Sequence, residues 1–123
     1  MICTKSEAFD LITDSEPMLE YDLDAGIITW ASRSLEVLFG YPDTGVFVGK
    51  SLDMLVPEAK REIHQEHIKK YTLHPETRAT NLIGLQGQKL DGTIFNISIK
   101  LCSGWAGSMT TRRRIVIALV NPL

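Results

Sequence analysis

A chain of 123 residues fits one domain and, at that size, can bury roughly two-thirds of the surface that its unfolded form exposes. Its 44% hydrophobic and 23% charged residues, without repeat or low-complexity tract, read as a soluble globular chain. Thirteen Lys and Arg against fifteen Asp and Glu leave a net charge of −2, which excludes a general attraction for nucleic acid or an anionic membrane.

No stretch approaches the roughly 20 apolar residues that cross a bilayer, and MICTKSEAFD lacks the apolar centre of a signal peptide. The expectation is a cytoplasmic domain with no membrane insertion in this segment. Cys3 and Cys102 lie almost a chain length apart and form no CxxC, so neither a disulfide framework nor a zinc ribbon is indicated. Cys102 is expected to be a small buried hydrophobe.

In chain order, KSEAFDLIT at residues 5–13 carries Phe9 and Ile12 at helical spacing, predicting a short amphipathic helix before Pro17. It can lie on its own domain or on a second copy. Leu19, Tyr21 and Leu23 then alternate, Asp24-Ala25-Gly26 forms a turn, and Ile27 to Trp30 makes a second run, which together predict a β-hairpin. The carboxylates of Asp22 and Asp24 fit a turn rather than a catalytic pair. Ser32 can cap RSLEVLFG, where Leu35, Leu38 and Phe39 share a face and Gly40 supplies a stop.

Residues 41–56 read as loops with one or two short helical turns. Pro57 opens the most periodic segment, a helix from Glu58 to about Leu73, because a proline at a helix start loses no hydrogen bond. Two strands follow, RATNLIGLQGQKL and TIFNISIKL, joined at Asp91-Gly92. In the second, Phe95, Ile97, Ile99 and Leu101 alternate with Asn96, Ser98, Lys100 and Cys102, the period of a strand with one buried face. GWAGSMTT reads as a loop, Arg112-Arg113-Arg114 as a solvated strand start, and IVIALV at 115–120 as a continuous apolar strand. The order predicts an α+β domain, a sheet covered on one face by helices.

All three histidines fall within HQEHIKKYTLH, residues 64–74. At about 100° per residue, Ile68 lies about 40° and Tyr71 about 20° from His64, while Glu62, Gln65, Glu66 and Lys69 occupy the opposite side. His64 therefore points towards the interior. An inward imidazole has three readings: a core residue with satisfied nitrogens, a haem ligand facing a flat apolar cavity, or one of a metal-binding pair with His67. No HExxH motif or inward carboxylate supports the third. Nor does the chain hold a serine triad order, a phosphate loop or a dinucleotide fingerprint, so no enzymatic activity is expected.

Taken together, IITWASRSLEVLFGYP (27–42), Gly49-Lys50, LVPEAKREIHQEHIKKY and LDGTIFNISIKL resemble the PAS domain family in order and spacing, from about Glu7 to Val120. The resemblance implies a five-stranded antiparallel sheet with helices on one face and a short N-terminal helix. It implies one domain, with residues 1–16 as a helical extension and 17–121 as the core. Its expected role is the sensory or dimerising module of a signalling protein, such as a histidine kinase, diguanylate cyclase or chemoreceptor, that passes its state to an output domain. Homodimerisation through the N-terminal helix or a sheet face is implied too, as is a small-molecule ligand held by pocket candidates His64, Ile68, Ile83, Leu85, Ile97 and Ile99.

Cofactors divide within the family. The flavin branch carries its reactive cysteine in an Asn-Cys-Arg motif, which this sequence lacks. The haem branch places its iron-ligating histidine seven residues after a proline that opens the long helix, and His64 stands seven residues after Pro57. That branch also has an arginine where Ile83 stands here, so a haem-based gas or redox sensor with His64 as axial ligand would lack the expected donor to bound oxygen. The other alternative is a ligand-free dimerisation module.

Overall fold

The computed structural model describes residues 16–73, 80–107 and 112–123 of the chain, without the side chains of 80–83 and 106. The short helix expected at residues 5–13 lies outside the described residues. The hairpin falls where the alternation puts it, with β1 at Met18–Asp22 and β2 at Ile27–Ala31. Its turn closes because the Asp22 carboxylate accepts hydrogen bonds from the backbone N–H groups of Asp24 and Ala25, both at 2.9 Å. Gly26 completes the reversal at φ +71°, a left-handed conformation that a side chain resists. Asp22 is thus a turn builder, as its surroundings in the sequence indicate.

Ser32 starts α1, Arg33–Leu38, with its hydroxyl accepting from Leu35 N at 3.1 Å. The same hydroxyl accepts from Met18 N at 3.0 Å and donates to Glu16 O at 2.6 Å, so one buried side chain ties the helix start to the entrance of β1. Within α1 the buried Glu36 carboxylate receives Gly45 N at 2.6 Å and Arg33 at 3.2 Å, holding the following loop against the helix. That loop pairs with the outer edge of β2: Gly49 N donates to Ile28 O at 2.7 Å and Ile28 N to Lys50 O at 2.9 Å. Two 3-10 helices, Leu52–Leu55 and Glu58–Lys60, lead into α2, Arg61–Leu73.

Strands β3 (Thr80–Gln88), β4 (Ile94–Ala106) and β5 (Arg113–Pro122) complete an antiparallel sheet of order β2-β1-β5-β4-β3. GWAGSMTT is shorter as a loop than its composition indicates, because β4 continues through Gly104, Trp105 and Ala106 against Ile115, Arg114 and Arg113. Strand β5 lies at the centre of the sheet, which explains its unbroken apolar run: Val116, Ala118 and Val120 face the main core, and Ile115 and Ile117 are buried on the other side. Leu19, Tyr21, Ile97, Leu35, Phe39, Phe47 and Leu55 join the three β5 residues in that core, so the described helices cover one face of the sheet.

Candidate functional site

The space between α2 and the inner sheet face is where the sequence concentrates its candidates. Ile97 is buried in the core, and Ile68, Leu85 and Ile99 pack half-buried against it. Backbone pairing sets Leu85 beside Ile97 and Ile99 beside Val120, so these three strands present one apolar wall. Ile83 lies within β3, but its side chain is outside the described residues. At the far end of the wall, Phe39 and Phe95 meet edge-on with ring centroids 5.2 Å apart. Gly87 makes that contact possible, because a Cβ there would stand 3.0 Å from Phe39 and 3.3 Å from Phe95.

Helix α2 crosses this wall without burying any residue completely. His64, Ile68 and Tyr71 are half-buried, whereas Ile63 remains 61% exposed. The apolar arc on α2 is therefore narrower than a wheel that includes Ile63. Polar bonds fix both ends of the helix. Near its start, Arg61 Nε donates to Asp53 O at 3.0 Å and Val56 O at 3.1 Å, and Gln65 Nε2 donates to Asp53 Oδ2 at 2.9 Å. At its end, Arg114 Nη1 donates to Thr72 O at 2.8 Å, while the same guanidinium holds Asp24 at 2.6 and 3.1 Å.

His64 Nδ1 is buried and has no hydrogen-bond partner among the described residues. Burial pushes the imidazole pKa below its ordinary 6.5; the Asp53 charge works against that shift and His67 adds to it. The ring is accordingly neutral at pH 7, with an unengaged nitrogen on the inner side of α2. Tyr21, on β1, has its hydroxyl pushed above the usual 10.0, first by burial and then by Asp53 and Asp22. Both residues remain uncharged, so the site offers hydrogen bonding rather than charge to a bound molecule. Among the described residues no three His, Cys, Asp or Glu side chains converge on a metal position.

Sequence reasoning missed Asp53, Arg61 and Arg114. Arg114 looks locally like part of a solvated basic run, and only the sheet topology brings it to the end of α2, 42 residues away in sequence. Asp53 carried a weak local signal, since Ser51 precedes it in a helix-start pattern and receives Asp53 N at 3.1 Å.

No family model matches the sequence, and no curated protein matches it. Solved structures do match in shape. The PAS-B domain of wild-type Drosophila melanogaster Cycle, with bound ethylene glycol, superposes with a TM-score of 0.67 at 11% identity, over 87% of this chain and 99% of that one. A PAS domain from a two-component sensor histidine kinase gives 0.63 at 12% identity, over 97% and 95% of the two chains. The LOV domain of the blue-light photoreceptor Aureochrome1 gives 0.60 at 18% identity, over 88% and 81%. The chain has the PAS fold: a five-stranded antiparallel sheet with its long helix laid across the inner face.

Proposed function

We propose that this chain is a non-catalytic sensory module of a signal-transduction protein. It takes a small, largely apolar molecule between α2 and the wall formed by Leu85, Ile97 and Ile99, with Ile68 and Ile83 completing the pocket. The observation that carries the reading is the buried, unpartnered His64 Nδ1, because an unused polar atom on an apolar wall favours a ligand that supplies the missing hydrogen bond. Residues 17–121 are the sensing core in this reading, and residues 1–16 an extension towards a partner copy or an output domain such as a histidine kinase or diguanylate cyclase. Ligand binding transmits a signal by stabilising one setting of α2 over another, which requires different affinity for the two.

The compartment in this reading is the cytoplasm. Cys102 is buried, as expected of a small hydrophobe, but it is disulfide-bonded, which corrects the expectation that no disulfide is indicated and pulls towards an oxidising compartment instead. The same unpartnered nitrogen supports a second reading, a haem sensor, since an axial histidine needs one free neutral nitrogen facing an apolar space. His64 would hold the iron, and Ile83 would offer no hydrogen bond to a bound gas. The flavin adduct chemistry of light sensors has no basis in this sequence, which has no Asn-Cys-Arg motif.

One preparation separates these readings. Freshly purified protein is examined by absorption spectroscopy, then denatured, and the released small molecules are identified by mass spectrometry. A colourless compound that copurifies with wild type and is lost in His64→Leu supports the ligand pocket; an intense haem band lost in the same variant supports the second reading. A folded dimer that releases nothing, with thermal stability unmoved by a library of small apolar compounds, would leave only a dimerisation module.

A further inference from the structure

The polar groups under α2 gather at one end of it. Of the charges acting on His64 and on Tyr21, that of Asp53 is the largest at each, so one carboxylate lies near both. Asp53 is half-buried and held by Gln65 Nε2 at 2.9 Å, and among the described residues no cation pairs with it. Beside this end, Ile68, Leu85, Ile97 and Ile99 offer only hydrocarbon. A neutral imidazole carries one N–H and one lone pair. An orphaned buried N–H is rarer than an orphaned buried acceptor, so the proton resides on Nε2 and the unpartnered Nδ1 presents its lone pair.

We propose that the ligand of this site is an uncharged molecule with an O–H or N–H donor at one end of an otherwise apolar body, such as a phenol or an indole, and that Asp53 excludes carboxylates of the same size. This ligand class presupposes the pocket between α2 and the sheet, and adds to it a polarity and a residue that sets it. The donor meets His64 Nδ1, and the body lies along Ile68, Leu85, Ile97 and Ile99. A plain hydrocarbon leaves Nδ1 unmatched. A site with a hydrogen bond to offer rejects the analogue that lacks the matching group far more strongly than an apolar pocket rejects one methylene too many or too few. A carboxylate fails twice: its oxygens face the Nδ1 lone pair, and its charge meets that of Asp53 where water screens poorly.

Phenol, toluene and benzoate are close in size and differ in the group at one end. Each is titrated at neutral pH into the full chain, labelled at its isoleucine and leucine methyl groups, and NMR shifts at Ile68, Leu85, Ile97 and Ile99 locate the probe. In wild type, phenol should bind at least about fivefold more tightly than toluene, and benzoate more weakly than either. In His64→Leu the preference for phenol disappears while toluene still binds. In Asp53→Asn, which keeps an acceptor for Gln65, benzoate gains at least about fivefold relative to phenol. A smaller preference for phenol in wild type overturns the donor assignment but leaves the pocket standing, because toluene moves the same methyl groups. Benzoate as tight as phenol in wild type overturns the exclusion of carboxylates. No response to any of the three removes the pocket itself and this ligand class with it. All three of these outcomes are read on wild type, so none depends on the folding of a variant.

Discussion

Two residues, Ser32 and His64, carry unusual weight for their size. The Ser32 hydroxyl serves Leu35 N, Met18 N and Glu16 O at once and has no solvent exposure. Alanine there removes a helix cap and leaves buried backbone groups unmatched, a loss of about 2–3 kcal/mol. Urea unfolding should show a lower midpoint with an unchanged slope. His64 makes a different prediction. Its folded pKa lies below the 6.5 of the unfolded chain, so the unfolded state binds the proton more readily as the solution is acidified. The contribution of His64 is whole above pH 6.5 and is lost as pH falls towards the folded value. His64→Gln should flatten the decline in stability below pH 6.5, measured by unfolding midpoints across a pH series. A decline as steep as in wild type would assign the effect to other groups.

Among the elements, β3 and α2 show opposite ways of being held. Strand β3 is shaped by two glycines: Gly84, at φ +73°, sits in the register shift between Leu82 and Leu85, and Gly87 gives Phe39 and Phe95 room to meet. Gly87→Ala overpacks that junction and should cost about 1–3 kcal/mol in unfolding free energy. Helix α2 is attached at its ends and rests lightly between them, so Arg114→Ala should accelerate hydrogen exchange in its last turn while leaving exchange in β5 unchanged. Uniform acceleration through the sheet would show that Arg114 acts on the whole fold instead. These elements differed in legibility for physical reasons. Alternation in β4 and the Ser32 cap are local patterns that fall where the sequence puts them, whereas Pro57 opens a 3-10 turn, Glu58–Lys60, and α2 itself begins only at Arg61. The extension of β4 through Gly104 to Ala106 was not legible, since the pairing with Arg113 to Ile115 that stabilises it is long-range. The inward direction of His64 was readable from a helical wheel, but its lack of a partner depends on what the sheet brings near.

At the scale of the whole molecule, the sheet separates two apolar layers of unequal kind. One lies under the described helices, and the other is the strip through Met18, Cys102, Ile115 and Ile117. The sequence hints at this in the unbroken run at 115–120, which a sheet covered on one side would not require. Ile117→Ala should therefore destabilise the protein about as much as Ile97→Ala, each by about 2–5 kcal/mol, although the two residues face opposite sides. Comparable urea midpoints for the two variants would establish that both layers are integral to the fold; a near-silent Ile117→Ala would reduce the strip to a surface feature.

The two-point mounting of α2 has a mechanical result. A beam clamped at Asp53 and Arg114 but barely glued along its span can bow outward to admit a guest without first dismantling the β-sheet beneath it. The clamp at Arg114 also grips Asp24, so strain in the beam would reach the β1–β2 turn, at the opposite edge of the sheet from β3.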